Sequence, residues 1–316
     1  MKLAPAGSLF AVVVVVVCGM LLEKCPAQVA ATRAATGSTV SATMKFEITA
    51  EKTQLIVLDV LLPQTEARRQ KVSALDYSVQ PHALFEKDSQ QYAQFRFTKF
   101  PTQLTISLQA ELYRYDLATA REAPLRSAET KRSLAQWLIY EHYLEKDNAG
   151  IQAAARTLSG KTEEEVVQAC FDHTVSTLAR TAYVEQDVGA RRAIFEKKGD
   201  CTEFADVFIA LCRAKGIPAR FCQGYLFEPT QDTHKHDWAE VHFEKYGWVP
   251  FDPLYTHLKR RTTFSELRPI YLPVERQRRN GVLNLNHFWS YRYEGDGPTQ
   301  VKDTFTVISR EELPAN

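Results

Sequence analysis

Gly199-Asp200-Cys201-Thr202-Glu203-Phe204-Ala205-Asp206-Val207-Phe208-Ile209-Ala210-Leu211-Cys212-Arg213-Ala214-Lys215-Gly216 reads as one buried helix that a cysteine begins. Phe204, Val207, Phe208, Leu211 and Cys212 recur at the three-to-four spacing of a single helix face. Lys215 and Gly216 are C-terminal signals, and Pro218 forbids continuation. Cys201 is therefore expected at the helix N-terminus, where free backbone N–H groups and the helix dipole favour a thiolate and can stabilise an oxyanion. A mid-helix cysteine would have neither advantage.

Two partners follow in chain order. His236 lies in His-Asp-Trp-Ala-Glu-Val and Asp252 in Phe-Asp-Pro. Ala219 to Phe227 reads as a strand, Trp238 to Phe243 alternates as a second, and Tyr246-Gly247 turns the chain into Trp248-Val249-Pro250-Phe251. His236 thus enters one strand and Asp252 leaves the next, so a hairpin brings them together. In that arrangement the imidazole takes the thiol proton and Asp252 holds its other nitrogen. Singly, each residue has an ordinary explanation: an inert buried thiol, a solvated histidine, a turn aspartate. The joint arrangement is what points to an activated sulfur nucleophile. Metal binding is the rival reading, because His234, His236 and His242 are close in sequence. Paired zinc-type cysteine spacing is absent, and no metal or other cofactor is expected.

The 316 residues are 45% hydrophobic and 24% charged, which is ordinary for a globular protein and leaves room for two domains. With 39 basic and 38 acidic residues the net charge is +1, so the sequence carries no electrostatic footprint for nucleic acid. Lys2, the apolar run Leu9–Leu22 with its six consecutive valines, and the small residues that follow read as a secretory signal peptide over 1–27, with cleavage after Ala27 or Ala31. The run is short of the ~20 residues that span a bilayer, so no integral span is expected once the signal is removed. Val17 and Lys24, preceding Cys18 and Cys25, argue against lipidation. Cys170, Cys212 and Cys222 are expected to be buried free thiols.

Residues 28–40 are small and polar and read as a flexible leader. From Met44 the pattern turns to strands: Lys45–Ala50, Leu55–Leu62, Tyr92–Phe100 and Leu104–Ala110. They predict a β-sandwich domain over 41–120 that carries no clustered chemistry. A charged linker follows from Arg121 to Thr130. Helical patterning begins near Ser133, and a second helix opens at Thr162, with Glu165 placed for a capping box. The catalytic domain is expected over 130–312. Leu283–Tyr293 and Val301–Ile308 look like further strands completing a sheet.

Gly199-x-Cys201-x-Glu203-Phe204-Ala205, Ala214-Lys215-Gly216-Ile217-Pro218-Ala219-Arg220, Gly224-Tyr225, His236-x-Trp238-x-Glu240-Val241 and Gly247-Trp248-x-x-Phe251-Asp252-Pro253 together resemble the core of the transglutaminase-like superfamily. The match is dense over residues 190–255. The resemblance implies an α+β, papain-like fold, with a helix-borne cysteine packed on an antiparallel sheet, preceded here by the all-β sandwich. It implies Cys201 as nucleophile, His236 as base and Asp252 as orienting acid. It also implies a thioester acyl-enzyme formed from an amide and resolved by water or an amine. Tyr183 and Trp238 are the candidates for oxyanion or substrate contacts. The zinc-binding Cys-x-x-Cys of the glycanase branch and the calcium-type acidic clusters of animal transglutaminases are missing.

The expected function is that of an exported thiol enzyme acting on a peptide or protein substrate, with hydrolysis favoured over transamidation. A binding or scaffold protein with a vestigial triad is the alternative from another class. Acyl transfer from a thioester such as acetyl-CoA is a third, which no basic phosphate-binding patch supports.

Overall fold

Alternation of apolar and polar residues builds the first part of the chain. In the computed structural model, which describes residues 36–124, 129–183, 186–228, 234–284 and 286–313, six strands follow one another. They are β1 (Gly37–Ala50), β2 (Thr53–Leu62), β3 (Gln70–Tyr77), β4 (Ala83–Lys87), β5 (Gln90–Phe97) and β6 (Thr102–Tyr113). Val40, Ala42, Met44, Phe46 and Ile48 of β1 face inward beside Leu104, Ile106, Leu108, Ala110 and Leu112 of the neighbouring β6. Such a face must be buried against a second sheet, and β2 and β5 supply it.

Helices and a second sheet follow. The helices are α1 (Leu117–Glu122), α2 (Lys131–Ala135), α3 (Ala149–Thr157), α4 (Glu163–Thr177), α5 (Gly189–Glu196), α6 (Cys201–Ala214) and α7 (Pro253–His257). The strands are the short pair β7 (Ala179–Arg180) and β8 (Lys198–Gly199), then β9 (Ala219–Leu226), β10 (Lys235–Phe243), β11 (Gly247–Phe251) and β12 (Tyr271–Glu275). The last four form an antiparallel sheet in the order β11-β10-β9-β12. The fold is α+β. The helix expected from Ser133 is interrupted: α2 passes into a 3-10 turn at Gln136–Leu138 and ends there. Thr162 caps α4 through the Glu165 N–H at 3.2 Å, while Glu165 reaches back to the Lys161 N–H rather than to Thr162.

The C-terminal strands β13 (Trp289–Gly295) and β14 (Thr299–Leu313) require a correction to the expected 130–312 boundary. They leave the core sheet and complete the sandwich, giving sheets ordered β14-β1-β6-β3 and β13-β2-β5-β4. β14 pairs with β1 along its full length, from Gly37↔Leu313 to Ala50↔Thr299. β1 and β2 each have an apolar inner face and an open edge, and two strands from the distant end of the chain cover them, β14 beside β1 and β13 beside β2. The expected signal and most of the leader lie outside the described residues. No helix among the described residues is long and apolar enough to cross a membrane.

The sandwich and the core sheet share a boundary built by charge. Glu240 of β10 has no exposed surface and accepts from Arg69 in the β2–β3 connection, from Arg220 of β9 at 2.8 Å and from Arg276 after β12 at 3.1 Å. Arg276 also grips Glu66 through two bonds of 2.9 and 2.7 Å, and Arg220 stacks 4.0 Å over Trp248. Burial opposes ionisation of Glu240, but the three guanidinium groups outweigh it and hold the carboxyl far below the usual range. Glu240→Ala removes the acceptor shared by three largely buried cations, leaving Arg276 its Glu66 and Arg69 the Trp248 carbonyl, and is expected to destabilise the protein by about 3–5 kcal/mol. Urea unfolding measures this, and a loss under about 1 kcal/mol would contradict the structural role.

Candidate active site

The N-terminus of α6 is set by its neighbours in sequence. Asp200 is the N-cap: it accepts the Thr202 N–H at 2.9 Å, and Glu203 returns to the Asp200 N–H at 3.0 Å, closing a capping box. Glu203 folds over Gly199, where an added Cβ would lie 2.2 Å from the Glu203 Cβ. This is the physical reason for the Gly-x-Cys-x-Glu spacing. Cys201 occupies the first helical position, half-buried, and its own N–H is a helix-end donor that the cap does not use.

Register places the partners. β11 ends at Phe251 opposite Ala239, so residues 236–238 of β10 extend past it. Asp252 comes into that open edge as the N-cap of α7, accepting the Tyr255 N–H at 2.9 Å. His236 Nε2 meets Asp252 Oδ2 at 2.7 Å, and the Tyr271 hydroxyl donates to the same oxygen at 2.8 Å. With Nε2–H committed to the carboxylate, Nδ1 is the nitrogen left to receive a proton. Both side chains are buried, at 3% and 0% exposure. The imidazole packs against Tyr255 at 4.9 Å and is stacked with Trp238 at 6.1 Å. Gly224 pairs with His236 across β9, where a Cβ would lie 2.1 Å from the Leu272 carbonyl oxygen. The Gly224-Tyr225 motif is thus the close approach of β12, which brings Tyr271 to Asp252.

The sulfur lies against the same strand. The Asp237 backbone N–H, one residue after His236, is placed to stabilise a Cys201 thiolate. Thr202 Oγ1 donates to Asp237 Oδ2 at 2.7 Å and ties the helix start to β10. The expected net preference for a thiolate is nevertheless reversed. Burial, then the charges of Asp237 and Asp200, push the thiol well above its usual range, with Asp252 adding to them. The helix N-terminus is present, but desolvation and three carboxylates outweigh it.

Trp238 was expected at the substrate surface. It is only 1% exposed and backs the imidazole, edge-on to Tyr271 at 5.2 Å. Tyr183 lies between β7 and α5 and is 70% exposed. His236 and His242 are six residues apart on one strand, about 20 Å, which is too far to share an ion. Among the described residues, no group of three or more His, Cys, Asp or Glu is arranged to hold a metal. Cys170, Cys212 and Cys222 are buried and unpaired. Sequence reasoning missed Tyr271, Thr202 and Asp237. Asp200 followed by Glu203 was a legible capping signal, whereas Tyr271 arrives from a strand 19 residues beyond Asp252 that no local pattern links to it.

A second buried ion pair fixes α6 from its far side. Arg278 binds Asp206 through Nε at 2.9 Å and Nη2 at 3.1 Å, and Asp187 through Nη1 at 2.8 Å. His287 approaches Asp187 at 3.6 Å. Burial works against Asp187, but His287 and Arg278 hold its carboxyl down at about 2.

Residues 151–253 match the transglutaminase-like superfamily, so the chain carries a transglutaminase-like core. A protein described as a "Putative Cysteine Protease" from Cytophaga hutchinsonii has the same overall fold, with a TM-score of 0.59 at 17% identity over 89% of this chain and 94% of that one. The periplasmic domain of TgpA from Pseudomonas aeruginosa, bound to ethylmercury, is 15% identical over 73% of this chain and 94% of its own, with a TM-score of 0.39, too low to bear on the fold. A curated relative, the uncharacterized protein YebA of Bacillus subtilis strain 168, is 36% identical over 75 residues, 19% of this chain. That match spans only 10% of YebA.

Burial and the Asp200 charge push the Glu203 carboxyl from 4.5 up to about 7. Between those values the folded protein binds the proton that the unfolded chain releases, so this group makes stability fall as pH rises from about 4.5 to about 7. Glu203→Gln is expected to flatten that part of the stability–pH curve in urea titrations. An unchanged slope would contradict the assignment.

Proposed function

We propose that the protein is an exported thiol enzyme that opens an amide or peptide bond through a Cys201 acyl-enzyme. The observation that carries the reading is the 2.7 Å contact between His236 Nε2 and Asp252 Oδ2, on the strand whose next residue lies against the Cys201 sulfur. The fold shared with the Cytophaga protein, described as a "Putative Cysteine Protease", supports a thiol mechanism. Export rests on the signal-like residues 1–27 of the sequence.

In the proposed reaction His236 Nδ1 takes the Cys201 proton as the sulfur attacks the substrate carbonyl carbon. The Cys201 N–H donates to the oxygen as negative charge develops on it. The tetrahedral adduct collapses, the C–N bond breaks, and His236 returns the proton to the departing amine. Water then attacks the thioester with His236 again as base, releasing a carboxylic acid and restoring the thiol. Asp252 holds the ring orientation and supports the imidazolium, and its two further donors, Tyr255 N–H and Tyr271 O–H, fix the carboxylate. Trp238 and Tyr255 act as packing that keeps the ring in place. Water is the favoured acceptor, since it is abundant outside the cell and the sequence carries no motif for a dedicated amine-acceptor site. The sandwich is the recognition module for a peptide or protein substrate.

Iodoacetamide should label Cys201 in the folded protein in preference to the buried Cys170, Cys212 and Cys222, and His236→Ala should slow turnover of a peptide substrate by about 10²–10⁴-fold. Labelling that requires denaturant, or a His236→Ala variant as fast as wild type, would contradict the mechanism. Tyr271→Phe removes one donor to Asp252, worth about 1–2 kcal/mol, and should lower kcat by about 5–30-fold with KM little changed. Steady-state kinetics on the same substrate measures it.

A further inference from the structure

Asp237 follows His236 and points the other way, onto α6. Its carboxylate is 7% exposed. Oδ2 accepts the Thr202 hydroxyl at 2.7 Å, while Oδ1 is buried with no hydrogen-bond partner. An orphan carboxylate oxygen in a protein interior costs free energy and calls for an explanation. Its position supplies one, because the Thr202 that it binds directly follows Cys201 at the start of α6.

Resting on the reading of Cys201 as nucleophile, we propose that Asp237 is a positioning residue with two effects. Its carboxylate ties the helix of Cys201 to the strand of His236 through Thr202, and its negative charge keeps the proton on sulfur in the resting protein. The proton then passes to His236 during attack rather than beforehand, so the resting thiol reacts with oxidants and electrophiles more slowly than a thiolate would, though faster than the fully buried cysteines. The other charged groups around the pair are Asp200 and Glu203 on α6, His236 on β10, Asp252 at the start of α7, Asp187 before α5, Arg278 after β12 and His287 before β13. The carboxylates of Asp200 and Asp252 act on the sulfur in the same sense as Asp237. Burial raises the Asp237 carboxyl above its usual range, and His287, the Thr202 hydroxyl, Arg278 and His236 work against that rise.

The test is the pH profile of Cys201 alkylation by iodoacetamide, read by peptide mapping of the intact folded chain. Wild type should titrate above a free cysteine thiol. Asp237→Asn should move the midpoint down by about one pH unit or more, because it removes one charge and keeps the shape. Asp237→Glu should hold the midpoint near wild type. Thr202→Val breaks the tie but leaves the charge, so it should reduce turnover without lowering the midpoint. A merely structural Asp237 would leave all midpoints together, and an unchanged or higher midpoint in Asp237→Asn overturns the proposal. Should Asp237→Asn not fold, Asp237→Ser carries the same comparison. Wild-type Cys201 that is never alkylated while folded would overturn the nucleophile reading itself. Alkylation that does not shift with Asp237 overturns only the inference about Asp237.

Discussion

Strand β10 obeys the two-residue period of any strand, and most of the molecule is arranged around that constraint. On one face Asp237, Ala239, Val241 and Phe243 meet α6 and its apolar cluster. On the other, His236, Trp238 and Glu240 stand in a row. A slip of one residue would turn the imidazole into the helix core and expose Val241 to the arginines. β9 and β11 on either side hold the register through continuous antiparallel pairing. The shortness of β11 is what opens the edge where Asp252 arrives.

That row of three ties chemistry to architecture. Glu240, two residues beyond Trp238, is the acceptor on which Arg69, Arg220 and Arg276 converge. The strand that presents the histidine is therefore anchored to the sandwich by charge as well as by packing. The sandwich in turn is closed only by β13 and β14, so both ends of the described chain are needed to complete it. Tyr225 of β9 stacks on Phe305 of β14 at 3.9 Å, which brings the last strand into the same arrangement. Buried ion pairs are poor contributors to net stability, yet breaking one is costly. Such networks penalise alternative packings of the strand more than they stabilise the native one.

How much of this was legible in the sequence depends on range. The helix that Cys201 begins, the strand of His236 and the turn that releases Asp252 were all readable, because each is written in local periodicity and in Gly or Pro punctuation. The sandwich was readable from β1, β2, β5 and β6. Its last two strands were not assigned to it, since residues 289–313 pair with strands more than 200 positions earlier and no local signal names the partner. Tyr271 was hidden for the same reason. The protonation of Cys201 was misjudged because a helix N-terminus is visible in sequence, whereas the burial and the carboxylates that oppose it exist only in the folded chain.

The central claim is that Cys201 carries the acyl group, and the trapped intermediate tests it most directly. Wild-type protein, quenched in acid during turnover of an amide-containing peptide, should show an intact mass increased by the acyl fragment. Peptide mapping should place the adduct on Cys201, and hydroxylamine should release it, as a thioester requires. An adduct on any other residue, or turnover that persists in Cys201→Ala, would contradict the account.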